Sequence, residues 1–487
     1  MKKTARFLLN LVEILAAVFL TILLGRGFQA RGLPDLKPWH RADLGDVRAG
    51  ELPDTATLAD YLKREEAVFR ALKERVQNAV SAEDRTEGNR YFAGGPLDPT
   101  RFPDDGNRTF ELVPETIRGG ALLIHGLTDA PYSMKPIAET LRRLGYYALA
   151  PRMPGHGTAP AGLVSVEWQD WMSVVRLAAR HVRSKAGDGK PFVLVGYSNG
   201  GALAVKYAQD VLEASGLPRP DRIVLLSPMI GVTPFAGFSR VASLLHRIPF
   251  FEKNAWLDIL PEYNPYKYSS FPANAALQTW RLTKELNAQT ERLAADGRLK
   301  DLAPVLTFQS LVDATVSTDA IVHRLYDRLP ANGSELVLYD INRVGQLAPF
   351  LERPEQKLLL DLKSRTDLRY RLTVVSNVRL DTRDIAARSA GPGSVKVEAR
   401  PLGLAWPPDV FSLSHVAIPF PESDDLYGRL PDPPPTFGIR LGRVGPRGER
   451  SVLTVPFDQW MRLSWNPFFP YLEERVAAWA AISSSAR

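Results

Sequence analysis

The stretch Phe192-Val193-Leu194-Val195-Gly196-Tyr197-Ser198-Asn199-Gly200-Gly201, running on through Ala202 to Ala214, decides how this chain is read. Phe192 to Val195 is a short, unbroken apolar run, the pattern of a buried strand. Ala202 to Ala214 reads as a helix. The chain must turn sharply between them, and Gly196 and Gly200 flank the one serine of that turn. Side chains at the two glycine positions would run into neighbouring backbone, and the serine between them is held in a strained conformation. Strand, G-x-S-x-G turn and helix in this order make the context of a nucleophile elbow. The plainer alternative is an ordinary strand-to-helix turn. A serine hydroxyl is a weak nucleophile unless a base takes its proton, so the same stretch calls for a histidine elsewhere.

Outward from the elbow, strands and helices alternate. Gly120 to Ile124 (GALLI) and Tyr146 to Ala150 read as strands, separated by a helix marked by Met134, Ile137, Leu141 and Leu144 and stopped at Gly145. Trp168, Trp171, Val175, Ala178 and Val182 mark the next helix. Ile223 to Leu226, Val305 to Ser310 and Glu335 to Ile341 are further strands. Such alternation predicts an α/β class with a mostly parallel central sheet flanked by helices. Met229 to Lys300 carries no clean strand and reads as a helical cap. Tyr370 to Ser376 and Val395 to Ala399 read as extra strands of an insertion. Gly25 to Thr57 has no period and reads as a linker or surface arm, whereas Leu62, Phe69, Leu72, Val76 and Ala79 fall on one helical face. The division expected is a membrane anchor at 1–25, a linker and amphipathic helix at 26–108, a first core half at 109–228, the cap at 229–300, a second core half at 301–420 with an insertion at about 342–410, and a C-terminal extension at 421–487.

Composition narrows the function. Of 487 residues, 45% are apolar and 24% charged, which excludes a mostly disordered chain. The net charge of +7 is small for this length and forms no basic stripe, so nucleic acid is not an expected partner. With no cysteine there are no disulfides, zinc–thiolate sites or cysteine nucleophiles. No H-E-x-x-H, G-x-G-x-x-G or P-loop pattern is present, so neither a metal nor a cofactor is expected. Phe7 to Leu24 is apolar apart from Asn10, Glu13 and Thr21, and would reach about 27 Å as a helix. Lys2, Lys3 and Arg6 precede it. The expectation is a single N-terminal transmembrane helix, with the remaining chain outside the cytoplasm at the periplasmic face of a bacterial inner membrane. A cleaved signal peptide and a buried or surface helix are the alternatives.

Several segments together resemble a known family: GGALLIHGLTDAPYSM (Gly119–Met134), PRMPGHGTAP (Pro151–Pro160), the tryptophans Trp168 and Trp171, GYSNGG (Gly196–Gly201) and LVDATV (Leu311–Val316). The chain is similar to the α/β-hydrolase superfamily, and within it to bacterial carboxylesterases and monoacylglycerol lipases; the serine aminopeptidases share much of the pattern. The resemblance implies the α/β-hydrolase fold and catalysis by a Ser-His-Asp triad through an acyl-enzyme. Ser198 would be the nucleophile. The backbone amides of Leu127 and Asn199 would form the oxyanion hole. The family's chain order places the acid after the cap, where Asp313 heads a D-x-x-V turn, with Asp319 and Asp340 as alternatives. Of the seven histidines, only His323 and His415 follow Asp313. His323 sits on an apparent helix with Ile321, Leu325 and Leu329. His415 sits in a post-strand loop followed by valine, as the family's base does, so His415 is the expected base. The 102-residue gap from Asp313 departs from small esterases and implies the insertion, which would project from the site or cover it. His125 and His156 read as structural. Aromatic residues of the cap, among them Phe235, Phe238, Phe250, Phe251 and Trp256, would form cap core or an acyl-chain wall. The substrate implied is a small-molecule or lipid ester. A peptidase or amidase, or a non-catalytic scaffold on the same fold, are the rival readings. The oligomeric state is not legible.

Overall fold

The structure, a computed structural model, describes residues 10, 13, 21, 25, 32–102, 104–214, 216–231, 249–344, 354–408, 410–430, 439–443 and 461–481. Its frame is a ten-stranded sheet. The strands are β1 (Phe110–Leu112), β2 (Gly119–Ile124), β3 (Tyr146–Ala150), β4 (Phe192–Tyr197) and β5 (Arg222–Leu226). A small separate hairpin follows, β6 (Trp256–Asp258) with β7 (Phe271–Pro272). The sheet resumes with β8 (Val305–Ser310), β9 (Glu335–Tyr339), β10 (Arg371–Asn377), β11 (Asp384–Ala390) and β12 (Val397–Ala405).

The sheet order is β1-β3-β2-β4-β5-β8-β9-β10-β11-β12. From β3 to β10 every neighbouring pair is parallel; β1–β3, β10–β11 and β11–β12 are antiparallel. The central strands β2, β4 and β8 are buried along their whole length. That is why their sequences are continuous apolar runs rather than alternating ones.

The helices are α1 (Leu58–Arg75), α2 (Lys135–Arg143), α3 (Trp168–Ala186), α4 (Asn199–Glu213), α5 (Ala273–Ala295), α6 (Pro354–Ser364) and α7 (Phe469–Ala481). Two apolar cores lie on opposite faces of the sheet. One packs α3, α4 and α5 beneath Leu122, Leu194 and Leu225. The other packs α2 and α7 against Leu123, Val195 and Val224. The alternation of inward residues along one strand, such as Leu122 and Leu123, feeds both faces.

The arm before α1 is bound to the core. Asp46 accepts two hydrogen bonds from the Arg152 guanidinium, at 2.8 and 2.9 Å, and one from the Gly155 amide at 2.7 Å. Glu65 of α1 lies 3.4 Å from the same guanidinium, whose side chain is fully buried. Trp39 stacks on Tyr91 at 5.1 Å.

Phe7–Leu24 lies, but for residues 10, 13 and 21, outside the described residues. Among the described residues no helix is long and apolar enough to cross a membrane. This corrects the expected N-terminal transmembrane helix, and with it the membrane as a partner and the periplasmic placement. The physical reason is visible in the sequence. A spanning helix needs about 20 nearly unbroken apolar residues, whereas this stretch carries Glu13 close to its middle, where burying a carboxylate in hydrocarbon is costly. The long described helices α1, α3 and α5 are amphipathic, charged on one face and packed on protein with the other.

Part of the expected insertion joins the main sheet. β10 continues the parallel sheet beyond β9, and β11 and β12 extend it further. β11 is absent from the sequence reading, because Asp384-Ile-Ala-Ala-Arg-Ser-Ala is too poor in large apolar residues to signal a strand.

Candidate active site

The elbow forms because β4 ends at Tyr197 while α4 begins at Asn199, leaving one residue for the reversal. Ser198 takes φ 54° and ψ −118° there, a region disfavoured for a side chain with a Cβ. The surroundings hold it in place. The Ser198 amide donates to the Leu226 carbonyl at 2.9 Å, and its own carbonyl accepts from Gly201 and Met229, each at 2.9 Å. A Cβ on Gly200 would stand 2.1 Å from the Ile124 carbonyl oxygen, and one on Gly196 would stand 2.4 Å from the Gly200 oxygen. Both glycines are therefore required by close backbone approach.

Asp313 follows the carboxyl end of β8. Its Oδ1 accepts from the amides of Thr315 at 2.8 Å and Val316 at 3.0 Å, which fixes the carboxylate plane. Its Oδ2 lies 2.9 Å from His415 Nδ1, with both side chains almost wholly buried. Burial pushes the Asp313 carboxyl up, but the hydrogen bond and charge of His415 and the two amides outweigh it and hold the carboxyl below its ordinary value. The ring of Tyr197 lies 5.4 Å from that of His415 and tilts against it. Ser198 and His415 line one cavity of about 550 Å3, together with Gly126, Leu127, Met229 and Tyr268. Among the described residues no hydrogen bond joins Ser198 Oγ to His415; in such sites this bond is often long until substrate is in place.

Leu127 lies in the loop after β2, and Thr128 beside it has φ 62°. The amides of Leu127 and Asn199 donate to no acceptor among the described residues. The Asn199 amide is one of the free N–H groups at the start of α4.

His125, His156 and His323 are placed apart from this chemistry. His125 bridges two loops, with Nδ1 2.9 Å from the Gly126 carbonyl and Nε2 accepting from the Met153 amide at 3.0 Å. Burial pushes its pKa well below the ordinary value, as it does that of His156, which falls to about 3. His323 is half exposed between Asp319 and Asp327. Asp340 pairs with Arg343 at 2.7 Å, and among the described residues neither alternative acid hydrogen-bonds His415. Among the described residues no group of three His, Asp or Glu side chains is placed to hold a metal ion.

The cap supplies a wall of the cavity through Leu260, Tyr263, Lys267, Tyr268, Phe271 and Thr279. Phe235 and Phe238 lie outside the described residues, as do the side chains of Phe250 and Phe251. Trp256 does not face the cavity; it is buried beside Leu36, with its ring 4.8 Å from that of His40. Sequence reasoning missed Lys267, Tyr427, Arg462 and Ser464. They come from segments with no period and no motif, and the fold alone brings them to the cavity. Lys267 Nζ stands 3.8 Å from the buried Asp129 carboxylate.

A parallel sheet, a strained serine at a strand-to-helix elbow, and an aspartate–histidine pair at the carboxyl edge define a class. The chain is similar to the α/β hydrolases, with a serine at the nucleophile elbow. The profile of the family described as "Alpha/beta hydrolase family" matches residues 121–359. The chain is 27% identical over 198 residues to the thermostable monoacylglycerol lipase of Bacillus sp. (strain H-257), covering 40% of this chain and 71% of that protein. It is 30% identical over 101 residues to a carboxylesterase of Bacillus subtilis (strain 168), covering 20% of this chain and 40% of that protein. Among solved structures, the monoacylglycerol lipase of Paleococcus ferrophilus superposes with a TM-score of 0.36 at 18% identity, over 48% of this chain and 88% of that one.

Proposed function

We propose that Ser198, His415 and Asp313 act as nucleophile, general base and orienting acid in the hydrolysis of carboxylic esters, acylglycerol and other lipid esters among them. The protein is a carboxylic ester hydrolase. The observation that carries the triad is the 2.9 Å contact between Asp313 and His415, residues far apart in sequence, on the wall of the cavity that Ser198 lines. Asp313 accepts the proton-bearing Nδ1 of His415, which leaves the Nε2 lone pair to take the Ser198 proton. Oγ attacks the ester carbonyl, and the amides of Leu127 and Asn199 meet the developing oxyanion. His415 then delivers its proton to the departing alkoxide. Water repeats the sequence on the acyl-enzyme, releasing the acid and restoring Ser198.

Activity-based labelling tests this reading. A fluorophosphonate probe should label the wild type and not Ser198→Ala. Ser198→Ala and His415→Ala should each lower kcat by about 10^4-fold or more, with His323→Ala close to wild type. A panel of p-nitrophenyl esters of increasing chain length, set against aminoacyl p-nitroanilides, separates esterase from peptidase. Labelling retained in Ser198→Ala, or a preference for the anilides, would defeat the proposal.

A further inference from the structure

The cavity beside Ser198 adjoins a second one of about 430 Å3, the two sharing Leu441, Arg462 and Ser464. The second cavity has apolar walls at Phe411, Leu441 and Trp465, and its charged residues are Arg429 and Arg462, with no acid among its lining. The two arginines differ. Arg429 is neutralised by Glu422 at 2.7 Å and lies over the Trp465 ring at 5.1 Å. Arg462 donates to the neutral Thr315 hydroxyl at 3.2 Å, and no carboxylate among the described residues pairs with it. Thr315 is the residue whose amide holds Asp313. Arg462 is thus tied to the turn of the acid, at the junction of the two cavities, with most of its donors uncommitted among the described residues. Lys267, the other cation of the first cavity, already faces Asp129. Asp258 lines the first cavity but not the second, which leaves the second as the favourable side for negative charge.

A guanidinium is a planar fork of N–H donors that matches a carboxylate or a phosphate. We infer that the ester taken by Ser198 carries an anionic group, carboxylate or phosphate, which Arg462 receives where the two cavities meet while the attached carbon chain lies against Phe411 and Trp465. This rests on the proposed ester hydrolysis and names its substrate class. Arg462 is a specificity-determining residue rather than part of the triad.

The test is a ratio. The kcat/KM of p-nitrophenyl hemiglutarate is compared with that of its neutral analogue p-nitrophenyl pentanoate, and that of a 1-acylglycerol 3-phosphate with the parent 1-acylglycerol. In the wild type at least one anionic-to-neutral ratio should exceed unity by about tenfold at low salt and fall toward unity at about 0.5 M NaCl. Arg462→Ala should lower that ratio about tenfold, chiefly through KM, and Arg462→Lys should keep part of it. Arg379→Ala removes the same charge from an exposed pair with Asp381 and should leave the ratio where it was. The pair giving the larger ratio identifies carboxylate or phosphate. Ratios at or below unity for both pairs, or a ratio indifferent to Arg462→Ala, would overturn the anionic site while ester hydrolysis stands. No turnover of any ester and no probe labelling would overturn the proposed function and this inference together.

Discussion

Two buried carboxylates close to the cavity are driven in opposite directions by their surroundings. Asp313 is hydrogen-bonded by His415 and by the amides of Thr315 and Val316, and is held below its ordinary value. Asp424 is buried too, but its partners are the amides of Leu426 at 3.0 Å and Tyr427 at 2.7 Å and the Tyr132 hydroxyl at 3.2 Å, with no cation among them. Burial dominates, and the Asp424 carboxyl is pushed up from 3.8 to about 6. The sign follows. A carboxyl with a raised folded-state pKa binds its proton more tightly when folded, so its stabilising contribution is present below about 4 and is lost as pH rises toward about 6. Above that window the folded protein holds a poorly compensated charge, a cost of about 2–3 kcal/mol. Asp424→Asn keeps an oxygen for the two amides and cannot ionise. It should gain about 1–3 kcal/mol relative to wild type at pH 7.5 and lose most of that advantage at pH 4.5, read by urea denaturation. An advantage of equal size at both pH values would refute the account. Because Tyr427 belongs to the same turn and lines the cavity, the charge on Asp424 bears on the wall of the site as well as on stability.

Among the elements, the arm before α1 meets the core at a fully buried guanidinium. Arg152 lies in the loop after β3 and is fully enclosed by Asp46, Glu65 and the His156 carbonyl. Burial pushes the Asp46 carboxyl up, but Arg152 outweighs it and leaves the carboxyl low; Glu65, farther from the guanidinium, stays raised by its burial. Removing Asp46 leaves Arg152 with only the weaker partner, in a place water does not reach. Asp46→Ala should therefore cost about 3–5 kcal/mol, measured as a shift in urea midpoint at unchanged m-value; a loss under 1 kcal/mol would show that Glu65 suffices. This contact was not legible in the sequence. Gly25 to Thr57 has no hydrophobic period, and an ion pair between residues 46 and 152 leaves no local signature. The elbow, by contrast, was legible because its constraints are local. A strand, two glycines forced by backbone contact and a helix start all fall within Phe192–Ala214. The expectation of a membrane anchor at the N-terminus failed on hydropathy alone, since length and mean apolarity do not weigh where Glu13 falls within the run.

At the scale of the whole molecule, the two halves of the candidate site are held by different means. Ser198 and Asp313 sit at the ends of β4 and β8 in the middle of the sheet, where both neighbours on each side fix them. His415 and Arg462 come from the segment between β12 and α7, whose described residues add no strand to the main sheet. Chain order and the family resemblance pointed to His415 as the expected base, but the lining residues Tyr427, Arg462 and Ser464 were invisible, because no periodic or motif signal marks them. The segment's tertiary contacts are visible in the structure. The Ser414 hydroxyl donates to the Leu463 carbonyl, the Asn466 amide donates to the Phe420 carbonyl at 2.8 Å, and α7 closes the end. From α7, Leu472 and Val476 are fully buried on the sheet face with Phe469, Tyr471 and Trp479 nearly so, Arg475 pairs with Glu335, and the Tyr146 hydroxyl donates to the Ala480 carbonyl at 2.6 Å. Five large side chains at about 1.5–3 kcal/mol each approach the entire stability of an ordinary domain, about 5–15 kcal/mol. A chain ended at Asn466 should therefore lose cooperative thermal unfolding as well as probe labelling. The milder Leu472→Ala should cost about 2–5 kcal/mol while retaining labelling well below its own Tm. The pair of variants separates support from chemistry. If the truncated chain melted cooperatively near the wild-type Tm and still reacted with the fluorophosphonate, the segment bearing His415 would not depend on α7, and the division of the site between sheet and C-terminal segment would be wrong.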